Sequence, residues 1–360
     1  MKVKSVAYFI SSHGFGHAAR AAAVMQSMAD DDPCVKFEIF TAVPAWFIQD
    51  SLTAPYTHHP LLTDFGLAQK TPFLSDLGDT LCRLNKFYPI APTRLAGISQ
   101  TIQQLNCRII ICDIAPMGLM VAKDAGIPSV LVENFTWDWI YQQYVVVNKD
   151  IHQHINYLKP IFESVDYHIQ TEPICKRKSP DLVAGPVSRK PRMSRGQTRQ
   201  RLGLHTDENM VLITTGGIPQ SYDFLQKLDR LRKIKFVMPG AGPEIKIHDN
   251  LIILPHRSDF YHPDLAYASD AVIGKVGYST LAEVYHAGVP FGYVARPNYN
   301  ESGPMVDFIK EQMSGIAVDE AKFQNGGWIS KISKLLALPR VDRKDANGAK
   351  QISKFILSLI

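Results

Sequence analysis

The sequence predicts an α/β fold of two open parallel-sheet domains that face one another across a cleft. Apolar runs of β character alternate with helical patterns, and the alternation breaks once and restarts near residue 208. A stretch rich in Pro, Arg and Ser separates the two series. Alternation of this kind specifies parallel strands with helices on both faces. A chain of 360 residues with 46% hydrophobic content also exceeds what one core usually spans and suits two.

The first series opens with "SVAYFIS", continues through a helix from about His17 to Ala29 and "KFEIFTA", and ends in "RIIICDI", "MGLMVAKDAG" and "PSVLVEN". The second contains "ENMVLITTGG", "IKFVMPG", "NLIILP", "DAVIGKVG" and "PFGYVAR", with helical stretches at 220–233, 279–287 and 304–313. Between them "GPVSRKPRMSRGQTRQRLGL" reads as an exposed linker leading into a short helix, so the boundary falls near Val187. The expected organisation is a Rossmann-like domain over 1–186, a second over 187–343, and an amphipathic terminal helix in 344–360 that packs back on the first domain. Ligands in such sheets bind beyond the carboxyl ends of the strands.

Charge narrows the classes of function. The chain carries 39 Lys and Arg against 34 Asp and Glu, a net charge of +5, with basic clusters only at Lys176 to Lys178 and Arg189 to Arg201. That suits phosphorylated substrates or an anionic membrane face and argues against a nucleic-acid partner. Cys34, Cys82, Cys107, Cys112 and Cys175 have no close paired spacing, so neither a zinc site nor a disulfide framework is expected, and a cytoplasmic setting follows. The apolar stretch from Val6 to Ile10 is too short for a signal peptide, and no segment has the length of a membrane span.

Two loops carry the chemistry. In "SSHGFGHAAR", residues 11–20, Gly14, Gly16 and Ala19 match the dinucleotide pattern G-x-G-x-x-G/A, yet the strand in "KFEIFTAVP" closes with Thr41 and Ala42 where a nicotinamide site wants an acidic residue. The glycines let the chain turn sharply and leave His13 and His17 facing the cleft, although a histidine here also serves simply to fill a loop. In "DAVIGKVGYSTLAEVYHAGVPFGYV", residues 270–294, a strand enters a Gly-x-Gly turn and then a helix starting near Ser279. Free amides from Val276 to Thr280, the positive helix end and the Lys275 ammonium together suit a diphosphate. Glu283, one turn along, is placed to accept hydrogen bonds from a diol.

"KVGYSTLAE", residues 275–283, resembles the donor signature His-Cys-Gly-Trp-Asn-Ser-x-x-Glu of UDP-glycosyltransferases, with Gly277, Tyr278, Ser279, Thr280 and Glu283 in register. More widely, "HGFGHAAR", "GKVGYSTLAE" and "GVPFGYVARPNYNESGPMVDFI" resemble the glycosyltransferase-like segment that precedes the kinase domain of plant arabinokinases. They also resemble bacterial GT-B proteins, the peptidoglycan GlcNAc transferase among them. The resemblance implies a GT-B fold and places the family's catalytic base at His17 and its orienting carboxylate at Asp113 in "IIICDIAPMG". Asp113 ends an apolar strand, where it can fix an imidazole tautomer or cap the helix that follows. Lys275 replaces the plant family's histidine, and "NYNES" replaces its Asp-Gln pair.

The remaining candidates are looser. Gly16 belongs to the first loop, and Gly216 and Gly217 in "TTGGIPQ" would admit a phosphate or sugar from the opposite wall. His256 and Arg257 in "LPHRSDF" stand where a nucleobase is expected, and Asn300 and Glu301 where donor sugar hydroxyls are; each loop also reads as a solvated turn. His13, Phe135, Trp137 and Trp139 are candidates for the acceptor side, the aromatic run "NFTWDWIYQQYVVV" serving as acceptor pocket, lipid contact or core. The expectation is an inverting glycosyltransferase that uses no metal or cofactor, takes a UDP-sugar and an unidentified acceptor, and has peripheral membrane contact. A nucleotide-sugar epimerase, a non-catalytic sensor of nucleotide sugars and a nicotinamide oxidoreductase are the alternatives.

Overall fold

The computed structural model describes residues 3–205, 207–216 and 222–360. Gly217 lies outside the described residues. The seven strands of the first sheet are β1 (Lys4–Ile10), β2 (Val35–Thr41), β3 (Tyr56–Pro60), β4 (Cys107–Asp113), β5 (Ser129–Glu133), β6 (Tyr167–Thr171) and β7 (Leu182–Ala184). They form one parallel sheet in the order β3-β2-β1-β4-β5-β6-β7. The order reverses between β1 and β4, which opens a crevice where the β1 loop meets the end of β4. Helix α1 (Gly16–Asp31) leaves that loop, and its alanine-rich sequence both favours helix and buries a close-packed face. Gly14, at φ +71, makes the turn that lets α1 start there.

The second sheet contains β8 (Asn209–Thr214), β9 (Ile234–Gly242), β10 (Lys246–His248), β11 (Leu251–Pro255), β12 (Ala271–Lys275), β13 (Phe291–Val294) and β14 (Gly315–Ala317). Its order is β10-β11-β9-β8-β12-β13-β14, parallel apart from the β10 edge. Here the reversal lies between β8 and β12. A Cβ on Gly274 would stand 1.8 Å from the Thr214 carbonyl oxygen, so glycine lets these two strands approach at the crevice.

Three features differ from, or add to, the sequence expectation. The helical stretch expected at 220–233 amounts to one turn, Leu225–Leu228, among the described residues, because Phe224 and Leu228 alone bury an apolar face there. A hairpin pairing Ala68–Gln69 with Ser75–Asp76 carries Phe73 out of the first domain and into the second domain's core, 6.0 Å from the Phe323 ring. The last helix, Gly348–Leu357, packs on α1, where Lys350 Nζ and Ser353 Oγ donate to the Asp31 carboxylate at 2.5 and 2.8 Å. Among the described residues no helix is long and apolar enough to cross a membrane.

Candidate active site

The two crevices face one another across a cleft of about 330 Å³. They nearly touch, since a Cβ on Gly16 would meet Ser279 Oγ at 3.8 Å. Ser279 belongs to the helix labelled α5 (Tyr278–Ala287), and the labels α2 (Ala45–Ser51), α3 (Trp137–Gln142) and α4 (His262–Ala268) go to other helices near the site.

From the first domain the cleft receives the His17 imidazole, which is buried except for its cleft edge. Its Nδ1 lies 2.9 Å from Asp113 Oδ1. Asp113 is acceptor-only when ionised, so in the neutral imidazole Nδ1 carries the proton and Nε2 the lone pair. Asp113 is fully buried, which by itself raises a carboxyl pKa, but Arg20 and then His17 hold it below the ordinary range. Arg20 grips it with Nε at 2.8 Å to Oδ2 and Nη2 at 2.7 Å to Oδ1, and donates through Nη1 to Asn134 Oδ1 at 2.6 Å. Its guanidinium also lies 4.6 Å from the centre of the Tyr278 ring, across the domain boundary. Arg20 escaped the sequence reading, although its i+3 spacing from His17 in "HAAR" puts both on one helix face.

His13 also lines the cleft, with its ring edge-on to Trp137 at 5.1 Å. Burial, then the charges of His17, Arg296 and Lys275, push its pKa well down, so it stands as neutral imidazole. Phe135 reaches the cleft wall. Trp137 and Trp139 do not. Trp137 is fully buried, donates from its indole N–H to Asp64 Oδ2 at 2.8 Å, and belongs to the core beneath β4 and β5, against which the half-buried Trp139 packs. An indole ring that finds a partner for its N–H inside gains more there than at a lipid or acceptor surface. Burial raises the Asp64 carboxyl to about 6.

From the second domain come Gly216, His256, Lys275, Gly277, Tyr278, Ser279, Thr280, Glu283 and Glu301. Helix α5 starts after Gly277 without a side-chain cap, leaving its first amides available to a ligand. Lys275 Nζ stands over the Gly216 turn, 3.9 Å from where a Cβ would be. Burial, assisted by Arg296, lowers the Lys275 pKa to about 7. Tyr278 presents its ring to Arg20, while its hydroxyl accepts from the Val187 amide at 3.2 Å.

Glu283 sits at the cleft wall with both oxygens engaged. Oε1 accepts from Arg189 Nε and Nη2 at 3.1 and 2.9 Å, and Oε2 lies 2.7 Å from His262 Nδ1. Burial would raise this carboxyl; Arg189 and His262 bring it below the usual range. Arg189 comes from the linker and donates through Nη1 to Ser51 Oγ of the first domain at 2.8 Å. A diol reaching Glu283 must therefore share it with, or displace, one of these partners.

Two more expected residues, from the second domain, lie off the cleft. Arg257 points to solvent beside His256. Asn300 is an interdomain contact, its amide donating to Gln143 Oε1 at 2.7 Å. Its neighbour Glu301 is 6% exposed and accepts from Asn134 Nδ2 at 3.1 Å, again between domains. Phe15 and Trp46, unnoticed in the sequence, pack on one another at 5.5 Å and against the His256 ring at 5.4 and 5.9 Å. Among the described residues no three His, Cys, Asp or Glu side chains group as metal ligands.

Comparison with known proteins agrees with the two-sheet fold. The chain superposes on the glycotransferase of kitacinnamycin with TM-score 0.67 and 13% identity, covering 100% of both chains. It superposes on a UDP-glucosyltransferase from Polygonum tinctorium with TM-score 0.63 and 12% identity, covering 99% and 98%. Acinetobacter baumannii MurG gives TM-score 0.53 at 14% identity, with 99% of each chain covered. The fold is GT-B. In sequence the chain is 27% identical over 352 residues to L-arabinokinase of Arabidopsis thaliana, which covers 96% of this chain and 33% of that relative. The chain thus spans 33% of that relative's length. No protein-family profile matches it. In GT-B terms, the His17 loop belongs to the first lobe and the α5 tip to the second, with the cleft between them.

Proposed function

We propose that the protein is an inverting, metal-independent glycosyltransferase that moves a sugar from a UDP-sugar to an acceptor hydroxyl. One observation carries this reading: the His17–Asp113 pair and the Lys275–α5 tip open on the same narrow cleft. His17 Nε2 takes the proton as the acceptor oxygen attacks the anomeric carbon. The bond from that carbon to the diphosphate oxygen breaks, and its electron pair leaves with the diphosphate. Lys275 and the amides from Gly277 to Thr280 hold the charge that develops, an electrostatic effect usually larger than proton transfer itself. These groups supply the positive charge that a divalent cation would otherwise bring to the leaving group. His256, with Phe15 and Trp46 packed beside it, supports a nucleobase at one end of the cleft.

The test is turnover of UDP-sugars with a panel of hydroxyl acceptors, the anomeric configuration of the product being read by NMR. Inversion is expected, at a rate unchanged by EDTA. Retention, conversion of the UDP-sugar to its epimer without acceptor, or abolition of activity by EDTA would each overturn the corresponding part of the proposal.

Lys275 gives a pH dependence. In the empty cleft its pKa of about 7 leaves it largely neutral above that pH. A bound diphosphate favours the ammonium and raises the value, so binding takes up a proton above pH 7 and affinity falls as pH rises. Calorimetry of UDP binding at pH 8, in buffers of different ionisation enthalpy, is expected to register uptake approaching about one proton. Lys275→Met is expected to abolish that uptake; uptake that persists in the variant assigns it to another group.

A further inference from the structure

The second domain presents its strand ends to the cleft in the order β11, β9, β8, β12, β13, and the chemistry changes along that row. At the β11 and β9 end, His256 faces the aromatic pair Phe15 and Trp46. In the middle, Lys275 leans toward the Gly216 turn after β8, with the α5 tip beside it. Beyond β13 come Arg296, Tyr299 and Glu301. A nucleotide sugar with its base on the aromatics and its phosphates at the α5 tip puts its sugar at this last end.

Arg296 brings more positive charge there than a neutral sugar requires. The residue is 6% exposed, and its Nε is buried without a hydrogen-bond partner among the described residues. Nη2 reaches Glu301 Oε2 only at 3.5 Å, while the other Glu301 oxygen accepts from Asn134. The Tyr299 ring centre lies 3.4 Å from the guanidinium carbon, which fixes the plane of the group at the cleft wall. Lys275 is a like charge nearby, and His13 stands neutral, so Glu301 is the sole compensating anion among the groups described at this end. A buried guanidinium with unmet donors is costly, and a planar carboxylate is the ligand that matches its fork.

We infer that Arg296 selects a donor whose sugar bears a carboxylate, a nucleoside diphosphate hexuronate, with Glu301 left to accept from sugar hydroxyls. The inference rests on the nucleotide-sugar reading above and names the class of sugar. A neutral hexose fills the same space and offers the guanidinium no charged partner.

The experiment is calorimetry of wild type and Arg296→Gln with UDP, UDP-glucose and UDP-glucuronic acid, with thermal unfolding as a check on folding. Wild type is expected to bind UDP-glucuronic acid about 10- to 100-fold more tightly than UDP-glucose, the range of a charge-assisted hydrogen-bond pair. Arg296→Gln is expected to bring the two sugars to similar affinity while binding UDP as wild type does. Equal wild-type affinity for the two sugars overturns the inference and leaves the transferase reading intact. So does an Arg296→Gln variant that weakens UDP as much as UDP-glucuronic acid, which would make Arg296 a diphosphate ligand. Wild type that binds none of the three overturns the nucleotide-sugar reading itself.

Discussion

Replacing His17 with alanine is expected to lower turnover by about 10²- to 10⁴-fold while nucleotide affinity stays nearly unchanged. The imidazole projects from the first domain, whereas the proposed diphosphate groups are on the second, so the two functions separate. Asp113 Oδ1 at 2.9 Å fixes the tautomer that leaves Nε2 as acceptor, and Asp113→Asn is expected to repeat much of the loss by offering Nδ1 a donor instead. Steady-state kinetics alongside UDP titration of each variant provides the measurement. Full turnover in His17→Ala would remove the base from the account.

Arg20→Met is expected to destabilise the protein by about 3–5 kcal/mol, because it leaves Asp113 ionised and buried without its bidentate partner. Burial alone raises the Asp113 pKa; Arg20 and His17 set it below the ordinary value. A carboxyl depressed in the folded state contributes stability above its unfolded pKa, about 3.9, and that contribution is lost as pH falls through the lower folded value. Without Arg20 the burial effect dominates, so the gap between variant and wild type is widest near neutral pH and narrows as Asp113 protonates. Urea unfolding across pH 4 to 8 checks the sign. Pairing Arg20→Met with Asp113→Leu is expected to recover much of the stability, since an apolar pair replaces an ionic one, while turnover stays low. A flat pH dependence of the gap would show that Arg20 stabilises by packing instead of charge.

Most of the fold was readable because it rests on local signals. The alternation of apolar runs and helical patterns marks both sheets, and Gly14 and Gly277 mark the turns that deliver His17 and the α5 tip. The side chains that complete the site were not readable, because each pairs across a long stretch of chain. Arg189 sits in a linker that reads as solvated, yet it reaches Glu283 at a separation of 94 residues. Asn134 meets Glu301 at a separation of 167. The aromatic run could be read as acceptor pocket, lipid contact or core because sequence gives aromatic content but not the Asp64 partner that draws the Trp137 indole inside. Phe73 has no local signature at all, since its hairpin is short and its packing partners lie in the other domain.

A crystal structure of the UDP complex tests the central claim most directly. The account predicts diphosphate oxygens within about 2.7–3.2 Å of Lys275 Nζ and of amides between Gly277 and Thr280. It also predicts the β-phosphate facing the His17 imidazole across the cleft and the uracil beside His256. A diphosphate bound away from the α5 tip, or a His17 ring turned from the phosphate into its own domain, would contradict it.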